Sequence, residues 1–132
     1  MLTKGGFSVS EDADLLFKEL DFQQTTIIGI DSNGNSKIIR YDDIFLIESF
    51  AHKVEVHTTS GKYLIKERLY EIEGIYESQN IIRINKSQIV PKEKIFKIIP
   101  QYNSRLKLLL NNKVVVFVTR MYLVSFREKI GM

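Results

Sequence analysis

The sequence predicts a mainly β protein, with about ten short strands in small stacked antiparallel sheets and two or three short helices. Three observations predict this class. Short runs rich in β-branched and aromatic residues recur along the chain and are separated by turn residues. Apolar residues at helical spacing occur in three short stretches. The length of 132 residues, with 44% hydrophobic residues, fits one soluble globular domain.

The predicted strands follow one another closely. Residues 44–50 are nearly all apolar, which indicates a strand that is covered on both faces. Residues 53–59 alternate, with Val54 and Val56 on one face, which indicates a strand with one polar face. The full set of predicted strands comprises residues 25–30, 37–41, 44–50, 53–59, 62–66, 81–85, 88–90, 95–99, 105–110 and 114–118.

Turn residues mark the connections. Asn33 and Gly34 lie between the first two strands and can adopt the positive φ angles that a tight hairpin needs. Asp42 and Asp43 predict a turn directly before the third strand. The pair at residues 111–112 is two asparagines, which tolerate the left-handed conformation, and it predicts the tip of the last hairpin.

Three short helices are predicted. Ser8 and Glu11 have the spacing of a capping box, and an apolar stripe follows them to Leu20. A second helix is predicted at residues 69–76. A third is predicted to begin after Thr119, its N-cap, and has Leu123, Phe126 and Ile130 at helical spacing. We therefore divide the chain into a short acidic N-terminal segment at residues 1–35, formed by a helix and the first strand, and a main domain at residues 36–132.

The composition excludes several classes of chemistry. The chain has no cysteine, which rules out disulfides and a cysteine-based zinc site. His52 and His57 do not have the spacing of metal ligands, so we predict no metal site and no cofactor. No nucleophile–base pair or glycine-rich phosphate loop is present, so we predict neither an enzyme nor a small-molecule substrate. The first residues lack the apolar run of a signal peptide, which favours a cytoplasmic protein.

Charge is distributed unevenly along the chain. Residues 1–35 hold 2 basic and 6 acidic residues, a net charge of −4, whereas residues 83–132 hold 11 basic and 2 acidic residues, a net charge of +9. Such asymmetry is typical of proteins that bind nucleic acids or anionic membranes. Arg120 lies near the start of the last predicted helix, where the helix dipole disfavours a cation unless a phosphate binds there as well.

Several segments, in their order and spacing, resemble the LytTR family of bacterial DNA-binding domains. The motif RINKSQIV at residues 83–90, followed by the pattern R-x-Y at residues 120–122, is similar to the stand-alone members of that family. Pro91 and Thr119 depart from the pattern, which usually has Asn and Ser there. The resemblance rests on residues 43–49, 56–59, 82–90 and 119–122, with His52, Tyr63, Leu69 and Ile95.

The resemblance implies a sequence-specific transcription regulator that reads the major grooves of duplex DNA through loops. Three loops are implied, at residues 50–53, 85–87 and 119–121, with His52 and Lys86 at positions that contact bases. Cations around them, Lys92 included, are expected to hold the phosphate backbone. The implied DNA-binding residues are His52, Lys53, Arg83, Asn85, Lys86, Ser87, Lys92, Thr119, Arg120 and Met121.

Further partners and one alternative function remain open at this point. The resemblance allows a homodimer on repeated DNA sites and a membrane-bound inhibitory partner. The alternative is a non-catalytic β module that binds RNA or an acidic protein partner through the same basic face. Binding to single-stranded RNA would need exposed aromatic rings for base stacking, and Tyr102 and Tyr122 are the candidates near the cations.

Overall fold

A computed structural model describes residues 26–132 of the chain. This part contains ten strands and two α-helices, which confirms the predicted mainly β class. The predicted helix that begins near Ser8 lies outside the described residues. The strands are β1 (Thr26–Ile30), β2 (Ser36–Arg40), β3 (Ile44–Phe50), β4 (Lys53–Thr58), β5 (Gly61–Ile65), β6 (Ile81–Asn85), β7 (Gln88–Pro91), β8 (Ile95–Pro100), β9 (Leu106–Leu110) and β10 (Val115–Val118), and the helices are α1 (Leu69–Ile75) and α2 (Leu123–Ile130).

The strands form two antiparallel sheets. The larger sheet has seven strands in the order β2-β1-β5-β4-β3-β7-β6, and the smaller has three in the order β10-β9-β8. β1 pairs with β2 along its whole length and with β5 at Ile30. The first predicted strand is therefore a member of the same sheet as the main domain.

Alternation along the central strands divides the interior into two cores. Ile47 of β3 and Val56 of β4 belong to one core, which α1 covers through the buried side chain of Ile72. Leu46, the neighbour of Ile47, belongs to the other core, which the three-stranded sheet and α2 cover. The prediction that residues 44–50 form a strand with both faces covered is confirmed.

Two predicted turns differ in how they are built. The hairpin between β1 and β2 is as predicted, because Gly34 has a φ of 85° and the Asp31 carboxylate accepts backbone N–H bonds from Asn33 and Asn35. The hairpin between β9 and β10 turns at the two asparagines, as predicted, but its left-handed residue is Lys113, with a φ of 72°, and not one of those asparagines. A turn followed by one left-handed residue is the usual form of a three-residue hairpin loop.

A further difference concerns the end of the chain. Thr119 precedes a 3-10 turn at Arg120–Tyr122, and α2 begins only at Leu123. The Thr119 side chain makes no capping hydrogen bond. Arg120 therefore lies in the 3-10 turn before the helix and not in the first turn of the helix itself. Among residues 26–132, no helix is long and apolar enough to cross a membrane.

Candidate nucleic-acid interface

Three connections meet at one end of the two sheets. The first loop (residues 50–53) joins β3 to β4, the second loop (residues 85–87) joins β6 to β7, and the third segment (residues 119–121) follows β10. We call these three connections together the loop end. Because β3, β6 and β10 all run toward it, residues that are far apart in sequence become neighbours there.

Hydrogen bonds hold the three connections against one another. The backbone N–H of Ser49, just before the first loop, donates to the carbonyl oxygen of Ser87 in the second loop at 2.8 Å. The backbone N–H of Thr119 donates to the carbonyl oxygen of Ile84 at 3.1 Å, which places the third segment beside the second loop. The loop end is therefore one continuous surface.

The first loop is a tight turn of two residues. Phe50 pairs with Lys53, and Ala51 and His52 between them have φ angles of 49° and 66°. Two successive positive φ angles have the signs of a type I′ turn, whose twist matches that of the flanking strands. Neither residue is a glycine or an asparagine, so the turn is held in a conformation that is costly for its sequence.

The second loop is fixed by side chains. The Asn85 amide donates to the Gln88 side-chain oxygen at 2.8 Å and to the Phe117 carbonyl at 3.0 Å. The Asn85 side-chain oxygen accepts the backbone N–H of Ser87 at 2.9 Å and the Ser87 hydroxyl at 3.2 Å. One partly buried side chain thus ties the second loop to itself and to β10.

Arg83 also stabilises the second loop, through contacts with its backbone. Its Nε donates to the Asn85 carbonyl at 2.9 Å, another guanidinium nitrogen donates to the Lys86 carbonyl, and a third contact is an ion pair with Glu73 at 2.8 Å. The sequence predicted a DNA contact here. The structure gives the guanidinium a role in holding the Lys86 backbone in place.

The cations of the loop end fall into two groups. Arg83 is engaged by protein groups. Away from the loop end, Lys94 is engaged as well, since its ammonium donates to the carbonyl oxygen of Asp42, before the start of β3, at 2.6 Å. Lys53, Lys86 and Arg120 are exposed, and within residues 26–132 their side chains make no hydrogen bond or ion pair. These three side chains are therefore free to bind an external anion.

Lys92 does not join this surface. It lies beyond the end of β7 that is opposite the second loop, about 16 Å of extended chain from Ser87. There it lines a cavity of about 310 Å³ together with Glu73, Glu77 and Lys129. The phosphate contact expected for Lys92 stays a prediction, and it would be made away from the loop end.

The structure also brings residues to the loop end that the sequence argument missed. Arg68, the residue before α1, donates from its guanidinium to the His52 carbonyl at 3.2 Å. Arg105 stacks on the ring of Phe117 at 4.3 Å, one residue before the pairing of Leu106 with Val118. Both depend on how strands pair, for which the local sequence carries no signal.

Comparisons with known proteins show the family of this chain. A family model described as LytTr DNA-binding domain matches residues 34–131. An uncharacterised HTH-type transcriptional regulator of Staphylococcus aureus strain NCTC 8325 is 31% identical over 113 residues, which cover 86% of this chain and 75% of that protein. A similar regulator of strain MRSA252 is 30% identical over the same shares of the two chains.

A solved structure gives the same picture of the fold. The LytTr DNA-binding domain of a Bacillus cereus protein, described as a methyl-accepting/DNA response regulator, superposes with a TM-score of 0.76 at 23% sequence identity. The match covers 82% of this chain and 98% of that domain. In the part described here, α1 and α2 are separated by five strands, so they do not form the pair of adjacent helices that defines a helix-turn-helix.

Proposed function

Because this chain belongs to the LytTr DNA-binding domain family, we propose that it is a transcription regulator that binds specific duplex DNA sequences through its loop end. Family membership and the regulators among its relatives support a DNA-binding regulator. The finer assignment, which residues meet the DNA and how, is our proposal.

One observation carries this assignment. Lys53, Lys86 and Arg120 come from three connections that are distant in sequence, lie on one surface, and are free of protein partners within residues 26–132. Cations that are held neither by carboxylates nor by carbonyl groups are the groups expected to replace counterions on a phosphate backbone.

The loops have different tasks in the proposed complex. His52 and Lys86 project from the tips of two hairpins, and a hairpin tip is narrow enough for a major groove about 12 Å wide. There, Lys86 can donate to the acceptors of guanine. Lys53 and Arg120 stand beside the tips, where they can bind phosphates on either side of the groove.

Met121 is proposed to make an apolar contact with the DNA bases. Its side chain is 83% exposed, which is unusual for so large an apolar group beside two polar turns. An apolar side chain at this position can contact the methyl group of thymine in the major groove. The Thr119 hydroxyl, which caps no helix, is available to a phosphate oxygen.

The test is to select bound duplexes from a random pool with the 132-residue chain and then to titrate the selected site at several salt concentrations. If three or four cations each neutralise a phosphate, the slope of log K against log salt should be about −3 to −4. A binding constant that does not change with salt would contradict the proposal.

Competition separates duplex DNA from the alternatives. Unlabelled selected duplex should displace the labelled site, whereas single-stranded RNA and an acidic polypeptide of equal charge should displace it only at much higher concentration. Preferential displacement by RNA would favour the RNA-binding alternative, for which the fully exposed ring of Tyr102 is available. Dimer formation on repeated sites, a membrane-bound inhibitory partner and a cytoplasmic location stay predictions from the family resemblance and the sequence.

A further inference from the structure

Two strands of the larger sheet bring together three side chains with metal-binding atoms. Glu48 of β3 lies directly opposite Glu55 of β4, and His57 lies two residues beyond Glu55 on the same face. One ligand atom from each of the three lies within 4.8 Å of the others. We call these three residues the Glu–Glu–His cluster.

The His57 Nε2 atom lies near both carboxylates of the cluster but makes no hydrogen bond to either. The Nε2 atom of His57 is 3.2 Å from a Glu48 oxygen and 3.3 Å from a Glu55 oxygen. Charge-assisted N–H···O bonds are shorter, about 2.7–2.9 Å. The His57 Nε2 atom is also buried and has no partner in hydrogen-bonding geometry, although two carboxylates are near it.

The same distances fit a shared metal ion. Two ligand atoms that are each about 2.0–2.1 Å from a tetrahedral zinc ion are about 3.3 Å apart. In the octahedral coordination of magnesium, adjacent ligand atoms at about 2.0–2.1 Å from the ion are closer, about 2.9 Å apart. The observed spacings therefore favour tetrahedral coordination.

The charges of the cluster also favour a bound cation. Two carboxylates directly opposite each other on adjacent strands repel. Within residues 26–132, no lysine or arginine forms an ion pair with either of them. Lys62 is paired with His57 across β4 and β5, but it is exposed and makes no such bridge.

We propose that Glu48, Glu55 and His57 bind one divalent transition-metal ion, with zinc as the representative ion. The imidazole and two carboxylate oxygens supply three ligands, and solvent can supply the fourth because Glu48 is 31% exposed at its side chain. The second Glu48 oxygen already accepts a hydrogen bond from Gln88 at 2.9 Å, which fixes the carboxylate as outer partners do in metal sites.

The proposed metal site is connected to the second loop. Gln88 links Glu48 to Asn85, which holds the turn at Lys86 and Ser87. A bound ion would fix the Glu48 carboxylate and, through Gln88, the position of Asn85. Metal binding itself does not depend on the proposed function, and the experiment below uses no DNA.

The experiment titrates the metal-free, full-length chain with zinc chloride by isothermal calorimetry in a buffer that does not bind metals. We expect one ion per chain. The variants Glu55→Gln and His57→Gln keep the size of the side chain but remove a ligand, and each should weaken zinc binding more than about tenfold. Cobalt(II) in place of zinc should give the visible absorption of a tetrahedral site.

Two controls make the result decisive. Glu77→Gln removes a carboxylate elsewhere in the chain, and His52→Gln removes the other histidine; both should keep the zinc affinity of the unchanged protein. Urea unfolding of each variant shows whether it is folded. No zinc binding by the folded protein would overturn the proposal. Equal loss of affinity in His52→Gln would overturn it as well, because the ion would then bind elsewhere.

Discussion

The first and second loops are both two-residue hairpin turns, yet they are stabilised in different ways. In the first loop, Ala51 and His52 both have positive φ angles, and among residues 26–132 the one side-chain hydrogen bond that reaches the turn is from Arg68. In the second loop neither Lys86 nor Ser87 has a positive φ angle, and the side chains of Arg83 and Asn85 bind the turn.

The difference follows from the geometry of hairpins. A turn with positive φ angles matches the twist of its strands, so it needs little support but is costly for residues other than glycine and asparagine. A turn with negative φ angles costs little conformational free energy for any residue, but it tends to splay the strands. Asn85 and Arg83 oppose this tendency, and β6 and β7 show an irregular register beside them, between Arg83 and Asn85.

The largest expected effect comes from removing the support of the second loop. Asn85→Ala leaves the Ser87 N–H and the Phe117 carbonyl without their partner, and leaving such groups unpaired should lower the free energy of unfolding by about 2–3 kcal/mol. Urea denaturation measures this change. Asn33→Ala is the matched control, because Asn33 lies in an exposed turn and its side chain makes no hydrogen bond within residues 26–132; its effect should be within about 0.5 kcal/mol.

The next largest effect is on DNA binding, and it concerns the tips of the two loops. His52→Ala and Lys86→Ala should each cost about 1–3 kcal/mol on the selected duplex and relax the preference for particular base pairs. Lys92→Ala is the control, since Lys92 lies at the far end of β7 and should change affinity little. Anisotropy titrations against the selected site and a scrambled duplex measure both quantities. If His52→Ala and Lys86→Ala keep the original ratio of specific to scrambled binding, the tips do not read bases.

Much of the fold was predictable because periodicity reports local structure directly. The alternation at residues 53–59 and the apolar run at residues 44–50 each predicted a strand, and its covered faces, correctly. The order of strands in the sheet was not predictable from composition, because pairing is set by contacts between distant residues. The left-handed conformation of Ala51 was also missed, since alanine carries no signal for a positive φ angle.

In the candidate site, only the residues that match the family pattern could be predicted. Residue type alone cannot separate Arg83, which is bound by Glu73 and the second loop, from Lys86, whose side chain has no partner within residues 26–132. The Glu–Glu–His cluster was missed for a related reason. The spacing of the two histidines along the chain does not reveal it, because strand pairing brings Glu48 beside Glu55 and His57 across the sheet.

The smallest expected effect is on the stability of glycine variants of the two loops. At equivalent positions, glycine should change the free energy of unfolding with opposite signs. Ala51 and Lys86 are each the first residue of their turn, and both are exposed. Ala51→Gly removes the cost of a positive φ angle but also makes the unfolded chain more flexible, which favours unfolding. Because the first effect is larger, the free energy of unfolding should rise by about 0.5 kcal/mol. Lys86→Gly relieves nothing, because its φ angle is negative, and should lower the free energy by about 0.5–1 kcal/mol. Urea midpoints at unchanged m-values, measured without DNA, give both numbers. Changes of the same sign in both variants would show that the two loops are stabilised in the same way.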